Sequence, residues 1–469
     1  MRYLLLLFAS ILAVIGVQSC ISDDFTTSPS VRLRFSTDTV TFDTVFTNLG
    51  TPTARLKVYN PDKKGVSISS IRFADSETEF SMNVDGVSGT DFHDVEIRGG
   101  DSIFIFIECY IPESRQDEPF LVEDKILFST NGTEQSVQVE AYGQNVTRLR
   151  NVEVTADMTL TADRPYVVFD SLTVRPGATL HVEPGTKLLF HDKASLVVEG
   201  RLEAVGEPGK LIDLRGDRLD KVLPDVGYDI MAGQWKGVRI AAGSFDNRME
   251  YCNMRSTTDG LRIDSTADLT RQKLTLVNSW LHNSQSTVLS SLYAKVDAYG
   301  CIFSEAAGAV VKLTGGLHDF SQCTLANYYL FSVIYEPLLT LHHLFPEDNI
   351  TGNPNPLMRA TFSNSIIYGL ASDINEGDLA DSEVYLRYVS MKAAGSDDAN
   401  FINCLWDCDP QFETIREDYY FNYRLKPDSP VIGAGDASLT APPTLTDIDG
   451  LRRATPPALG AYSFRPAQE

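Results

Sequence analysis

The chain has 469 residues, of which 43% are hydrophobic and 22% are charged. This composition is typical of folded domains, and the length exceeds what one compact core usually supports, so two domains or an elongated repeat structure are expected. The formal net charge of −23 repels phosphate backbones and argues against nucleic acid as a partner.

Residues 1–19 have the pattern of an export signal. The apolar run from Tyr3 to Val17 is shorter than the roughly 20 residues that a membrane-spanning helix needs. Cys20 follows this run directly after a small residue, which resembles a lipobox, although Gln18 departs from the usual small residue. The resemblance implies a lipid anchor at Cys20, and an ordinary signal peptide is the alternative.

Residues 20–30 are predicted to form a lipidated tether. Ser22, Asp23 and Asp24 resemble the short acidic export signal of surface lipoproteins in Bacteroidetes. The resemblance implies an outer membrane lipoprotein that is exposed at the cell surface, with the membrane as its partner through Cys20. A merely polar tether is the alternative reading of the two aspartates.

Residues 31–145 alternate between apolar and polar side chains in short segments such as Ala54 to Tyr59 and Ser102 to Ile107, with turn residues between them. This pattern predicts an antiparallel β-sandwich. The segment LKVYNPDKKGVSISSIRF, which contains the Asn60-Pro61 turn, resembles Ig-like domains of the ASPM/SPD-2/Hydin type. We expect this domain to act as a spacer next to the anchor.

Residues 146–425 contain a repeat. A Cys or Ser recurs within similar apolar segments, with separations of 27, 22, 22, 42 and 39 residues, at Cys252, Ser279, Cys301, Cys323, Ser365 and Cys404. A coil of about 22 residues with three short strands is typical of a parallel β-helix. The two long separations are interpreted as single coils with side loops, around 345–356 and around 371–400.

The repeat also predicts the state of the cysteines. A small residue at one inward position of each coil forms a ladder whose neighbours lie about 4.8 Å apart, too far for a disulfide. Cys252, Cys301, Cys323 and Cys404 are therefore predicted to be free core thiols. Cys109 and Cys408 lie outside the ladder and are interpreted as single buried cysteines.

Residues 426–469 resemble the closing segment of bacterial right-handed parallel β-helix proteins. The matching positions are Ser429, Pro430, Gly433, Asp447, Asp449, Gly450, Arg452, Gly460, Ala461 and Tyr462. The sequence departs from the usual pattern at Ala458, Leu459 and Ser463. The segment is predicted to cap the last coil, because that coil would otherwise leave an open sheet edge.

The fold class is therefore all-β, with an N-terminal Ig-like β-sandwich followed by a right-handed parallel β-helix of the pectate-lyase-like kind. That kind of fold includes pectate lyases and polygalacturonases, which use converging carboxylates. Asp259 and Asp264 are weak candidates for such a site, and ordinary turn chemistry is the alternative. The sequence indicates no metal or cofactor site, and the adjacent His342 and His343 would face opposite sides of a strand.

Aromatic residues cluster at Tyr328-Tyr329 and from Tyr419 to Tyr423. They either stack on sugar rings or pack over the last coils, and packing is favoured. The whole chain resembles the right-handed β-helix surface lipoproteins of Bacteroidetes. The function expected is that of a glycan-binding or adhesive module without catalysis, which contacts polysaccharide or host glycan through its acidic, looped flank. A polysaccharide lyase or glycoside hydrolase, and a structural envelope protein, are the alternatives.

Overall fold

A computed structural model describes residues 24–223, 226–343, 356–375, 382–417 and 419–466. The chain divides into two compact units after Asn145. Residues 1–23, which include the predicted signal and Cys20, lie outside the described residues, as do residues 345–355 of the first predicted side loop and 376–381 of the second. Within the described ranges, no helix is long and apolar enough to cross a membrane.

The first unit consists of short strands that form two sheets. Its strands are β1 Arg34–Phe35, β2 Thr39–Phe46, β3 Ala54–Tyr59, β4 Val66–Phe73, β5 Phe80–Val84, β6 Val87–Gly89, β7 Asp91–Phe92, β8 Val95–Ile97, β9 Ser102–Cys109, β10 Phe120–Thr130 and β11 Thr133–Gln144. One sheet has the order β1-β3-β9-β5-β6 and the other β2-β11-β10-β4-β7, with β8 on β4. The predicted β-sandwich is thereby confirmed.

The alternation of side chains explains why these strands pack as two layers. In β9, Ile105 and Ile107 point inward and are fully buried, whereas Phe104 and Phe106 point outward. The turn after β3 is held by Asn60, which is 1% exposed and whose side chain donates to three backbone carbonyls at 2.8 to 3.1 Å. The Asn turn that was read from the sequence is therefore a buried structural element.

The second unit begins with strands that wind into coils. Its strands are β12 Thr147–Val154, β13 Met158–Leu160, β14 Tyr166–Val174, β15 Thr179–Val182, β16 Lys187–Phe190, β17 Ser195–Val198, β18 Arg201–Val205, β19 Ile212–Gly216, β20 Lys221–Leu223, β21 Val226–Gly227, β22 Gly237–Ile240, β23 Asn247–Glu250, β24 Cys252–Thr257, β25 Leu261–Ile263, β26 Leu274–Val277, β27 Trp280–Ser284, β28 Leu289–Tyr299, β29 Ile302–Ala306, β30 Val311–Ser321, β31 Thr324–Asn327, β32 Leu339–His342, β33 Leu357–Gly369, β34 Glu383–Met391, β35 Phe401–Ile402, β36 Phe412–Glu417 and β37 Tyr420–Leu425.

Strands β12 to β19 and β22 to β35 form one parallel sheet of 22 strands among the described residues. Each strand pairs with the strand one coil further on, as β24 does with β27 and β27 with β29. Three such stacks surround a continuous apolar core of inward-facing side chains. The predicted parallel β-helix is therefore confirmed.

The Cys/Ser ladder lies in one of these stacks. Cys252, Ser279, Cys301 and Cys323 are all fully buried and follow one another in register. The backbone N–H of Cys252 donates to Ser279 Oγ at 3.0 Å. Serine thus fits the ladder because its hydroxyl also accepts a hydrogen bond from the neighbouring coil.

The interpretation of residues 371–400 as a side loop is wrong. Strand β34 lies inside this range and pairs with β33, so that Val389 stands opposite Ser365 in the ladder. Ser390 in turn pairs with Leu405, next to Cys404. The separation of 39 residues therefore contains two coils, and a valine fills the small apolar site between Ser365 and Cys404.

All six cysteines of the described residues are free thiols, as predicted. Cys252, Cys301 and Cys323 are fully buried, whereas Cys404 is half-buried. Outside the ladder, Cys109 is buried as expected but Cys408 is only half-buried. The thiols therefore serve as small packing groups in the core rather than as covalent links.

The C-terminal segment covers a side of the coils, which corrects the prediction of a cap over the open end. Its apolar residues pack on the outward faces of Ile302, Ala326 and Ile366, which would otherwise be exposed to water. Its hydrogen bonds to three of the coils join Thr446 to Asn278, Ala461 to Thr324 and Asp436 to Asn364.

Candidate functional site

The stack of strands that contains the Cys/Ser ladder also carries outward-facing side chains, whose polarity differs from coil to coil. In β24 and β27 the outward side chains are Asn253 and Arg255, and then Trp280 and His282, which are register partners in that order. Further on, Ile302 occupies the position next to Trp280 and is covered by the C-terminal segment. The outward side chains of β24 and β27 therefore form a polar and aromatic group next to the covered coils.

A cavity of about 240 Å³ lies over these side chains. Its floor is formed by β24, β27 and β29, and its walls come from residues 229–230, residues 329–331 and the hairpin of β36 and β37. The lining residues are Asp229, Ile230, Asn253, Arg255, Trp280, His282, Asn283, Glu305, Tyr329, Leu330, Phe331, Tyr419, Tyr420 and Phe421. This volume is below the roughly 300 to 1,000 Å³ of pockets for drug-sized ligands, so it suits a single ring.

Trp280 is held rigidly at the floor. Its indole N–H donates to Ser304 Oγ at 2.8 Å, and its ring stacks on His282 with centroids 4.4 Å apart. Tyr423 meets the same ring edge-on at 6.2 Å. The indole is therefore oriented before any ligand arrives, which lowers the entropic cost of binding.

Glu305 supplies a carboxyl group to the cavity. The residue is 3% exposed, Oε1 accepts a hydrogen bond from the Tyr423 hydroxyl, and Oε2 has no hydrogen-bond partner. Burial raises the pKa of Glu305 to about 8, so the group carries a proton at neutral pH. The protonated carboxyl group is therefore a hydrogen-bond donor at the floor of the cavity.

The other ionisable groups around the cavity are paired or neutral. Arg255 contacts Asp213 at 2.7 Å, and Asp229 contacts Arg215 at 3.7 Å. Burial, together with the charge of Arg255, holds the pKa of His282 well below its usual value, so the imidazole is neutral. The cavity therefore offers an uncharged interior with a few polar atoms.

The two carboxylates that were predicted as weak candidates do not line this cavity. Asp264 forms an ion pair with Arg239 at 2.7 Å, and the backbone N–H of Asp259 donates to Lys236 O of the neighbouring coil at 2.8 Å. Among the described residues, no cluster of three His, Cys, Asp or Glu could hold a metal ion. Both Asp259 and Asp264 thus lie in contacts between neighbouring coils.

The aromatic clusters divide between packing and the cavity. Tyr328 and Tyr423 are buried beneath the C-terminal segment, as the packing interpretation predicted. Tyr419 is 40% and Tyr420 59% exposed, and both line the cavity. Phe331 stacks on Tyr419 with ring planes 5° apart, which continues the aromatic wall.

Sequence reasoning missed Trp280, His282 and Glu305. A signal was present, because residues one and three positions after each ladder residue point outward. Applied to Cys252 and Ser279, this rule selects Asn253, Arg255, Trp280 and His282. The rule does not select Glu305, and the walls from residues 419–421 could not be assigned to the same place without the fold.

No family model and no curated protein matches this chain in sequence. Two of the matching solved structures are the VesB protease of Vibrio cholerae, at 12% identity, and a family 123 glycoside hydrolase from Clostridium perfringens, at 9% identity. The matches cover 24% and 26% of this chain, and 31% and 30% of those chains, with a TM-score of 0.18 in both cases. A likeness at this level carries no argument about function.

Proposed function

We propose that this protein is an exported lipoprotein that binds glycans, and that the cavity over Trp280 holds one uncharged sugar ring. The observation that carries the proposal is the aromatic wall that encloses Trp280 and Glu305. A sugar ring presents C–H faces to aromatic rings and hydroxyl groups to polar atoms. The cavity supplies both kinds of contact.

The electrostatics favour a neutral sugar over a uronate. The positive charge of Arg255 is already neutralised by Asp213, and the rings of Trp280 and His282 carry no charge. An anionic ligand would therefore be desolvated without a free cation to compensate it. A neutral hydroxyl group, in contrast, could accept a hydrogen bond from the protonated carboxyl group of Glu305.

The proposed location follows from the leader. The run up to Val17 and the thiol of Cys20 support export and lipidation, and the resemblance of residues 22–24 to the Bacteroidetes signal supports exposure at the cell surface. The resemblance of the whole chain to β-helix lipoproteins of that group agrees with this location. A β-sandwich between the anchor and the β-helix would then act as a spacer.

The test compares two exposed tyrosines. Tyr420 lines the cavity and is 59% exposed, whereas Tyr335 is 66% exposed and lies outside it. Calorimetric titration with a panel of neutral and uronate-containing oligosaccharides should find a neutral ligand, and Tyr420→Ala should weaken its binding roughly fivefold, since an aromatic contact contributes about 1 kcal/mol. Tyr335→Ala should bind like the wild type.

The same samples distinguish binding from catalysis. New reducing ends or unsaturated products after incubation would replace the binding proposal with a hydrolase or a lyase. Equal affinity of Tyr420→Ala and the wild type for every ligand found would show that the cavity is not the binding site. Preference for uronates over neutral sugars would contradict the assigned ligand class.

A further inference from the structure

The outward face of the five-stranded sheet departs from the usual polar surface of a β-sandwich. Phe104 and Phe106 lie two residues apart on the central strand β9 and are 45% and 40% exposed. Their ring centroids are 6.3 Å apart and the ring planes differ by 24°. Two large apolar rings on one open face cost solubility unless they contact a partner.

Cationic side chains surround these rings. Lys57 stands opposite Phe104 and Arg55 opposite Phe106 in the pairing of β3 with β9. Lys57 Nζ lies 5.2 Å from the centroid of Phe104, and Arg34 lies 4.8 Å from that of Tyr59. We name Arg34, Arg55, Lys57, Tyr59, Phe104 and Phe106 the basic aromatic face.

The three cations of this face have no carboxylate within 4.0 Å among the described residues. In contrast, arginines such as Arg239, Arg255 and Arg271 are already held in ion pairs with carboxylates. The chain as a whole carries a formal charge of −23. The basic aromatic face is thus a locally positive surface on a negatively charged chain. Its cations remain able to bind anionic groups.

Protection of a sheet edge does not explain the arrangement. Lysines blunt edge strands against pairing with another chain, but the backbone of Lys57 is already paired, because its C=O accepts a hydrogen bond from the Ser36 N–H at 2.9 Å. The side chains point out of the sheet plane and leave the backbone pairing unaffected. Glu108 lies further along β9 and accepts a hydrogen bond from Thr53 at 3.1 Å.

We propose that the basic aromatic face is a second binding surface, whose ligand is an anionic polysaccharide. Sugar rings would stack on Phe104 and Phe106, and carboxylate or sulfate groups would contact Arg55, Lys57 and Arg34. The positive charges favour an anionic ligand. The two neighbouring phenylalanine rings favour a polymer whose successive sugar rings can stack on them. The surface is independent of the cavity over Trp280.

The experiment uses the purified full-length chain and polygalacturonate, with dextran as the neutral polymer. Polygalacturonate should bind, more weakly as salt increases, and dextran should not compete for this face. The double variant Phe104→Ala/Phe106→Ala should lower the affinity about tenfold or more. Lys57→Gln should lower it and flatten its salt dependence.

Matched controls lie on the other sheet. Tyr142 is 45% exposed on β11 and Lys125 is exposed on β10, so Tyr142→Ala and Lys125→Gln should leave the affinity unchanged. Tyr420→Ala should also leave it unchanged, which separates this proposal from the one for the cavity. An equal loss in the controls, or no loss in the Phe104→Ala/Phe106→Ala variant, would overturn the proposal.

Other anions test the ligand class. Single-stranded DNA and phosphatidylglycerol vesicles are negatively charged, as polygalacturonate is. Neither of them presents a chain of acidic sugar rings. The proposal expects both to bind at least tenfold more weakly than polygalacturonate. Binding of DNA or vesicles that equals or exceeds that of polygalacturonate, and that depends on Phe104 and Phe106, would assign the face to nucleic acid or to a membrane surface instead.

Discussion

The Tyr423 hydroxyl donates a hydrogen bond to Glu305 Oε1, which joins two residues 118 positions apart. Tyr423 thereby orients the carboxyl group, and the proton of Glu305 is left for Oε2, which has no partner. The charged and titratable residues that also line the cavity are Arg255, His282, Asp229, Tyr329, Tyr419 and Tyr420. A single hydrogen bond thus links the hairpin of β36 and β37 to the polar group of the cavity.

The pKa of Glu305 predicts a pH dependence of stability. The folded chain holds the proton up to about pH 8, whereas an unfolded chain loses it near 4.5. The contribution of Glu305 is therefore fully present below about pH 4.5 and is lost as the pH rises through 8. Glu305→Gln should remove this decline. At pH 9 the free energy of unfolding of the variant should therefore exceed that of the wild type by at least about 1 kcal/mol.

Urea unfolding at pH 4.5, 6, 8 and 9 measures this difference. Glu183→Gln removes an exposed carboxylate and serves as the control, which should follow the wild type at every pH. Ligand binding offers a second readout, because glutamine keeps a donor at all pH values. Binding should fall above about pH 8 in the wild type but not in Glu305→Gln. Parallel stability curves would contradict the assigned protonation.

The ladder predicts how the thiols respond to substitution. Cys301 and Cys323 are both fully buried, so a thiol reagent should label them only after denaturation. Cys301→Ser should be mild, since Ser279 and Ser365 occupy equivalent positions. Cys323→Phe should destabilise the chain by about 1 to 3 kcal/mol or more, because it overpacks the core. A disulfide between the two thiols in mass spectra would contradict the stacking.

The ladder also shows how far the sequence determines this fold. Coils of 22 residues were recognised because the spacing from Ser279 to Cys301 and from Cys301 to Cys323 is constant. The Cys/Ser pattern does not reveal the coil with Val389, because valine fills the same inward position in that coil. The period is thus encoded locally, but the identity of each core residue depends on packing alone.

The candidate site was harder to predict for a different reason. Trp280 comes from a coil, whereas Tyr420 comes from a hairpin about 140 residues further along the chain. The sequence pattern predicts that residues 419–423 pack near the last coils. In the structure the hairpin of β36 and β37 lies over the earlier coils of β24, β27 and β29. The resemblance of residues 426–469 to a closing segment likewise carried no information about which surface that segment covers.

The anchor remains a prediction that cell fractionation can test. Cys20→Ala should release the protein from the membrane fraction, since several acyl chains make the attachment effectively permanent. Cys408→Ser changes another thiol and should leave the protein attached. Protease added to intact cells should digest the wild type, if residues 22–24 direct it to the surface. Palmitate incorporation into Cys20→Ala, or full protection in intact cells, would contradict these two assignments respectively.

The lateral cover depends on Arg453. This residue is 8% exposed, and its guanidinium donates to Thr444 O, Gly460 O and Ala461 O at 2.8, 3.1 and 2.6 Å. Arg453→Met would leave three buried carbonyl groups without a donor, at about 1 to 3 kcal/mol each at most. The neighbouring Arg452 is exposed, so Arg452→Met is the matched control.

Loosening of the cover should be visible without complete unfolding. Because the cover shields the outward faces of Ile302 and Ile366, its release should increase proteolysis after residue 425 and expose apolar surface to a fluorescent dye. Since Tyr423 precedes the cover directly, sugar binding in the cavity should weaken in Arg453→Met as well. If Arg453→Met and Arg452→Met are digested at the same rate and bind equally, the guanidinium does not hold the cover in place.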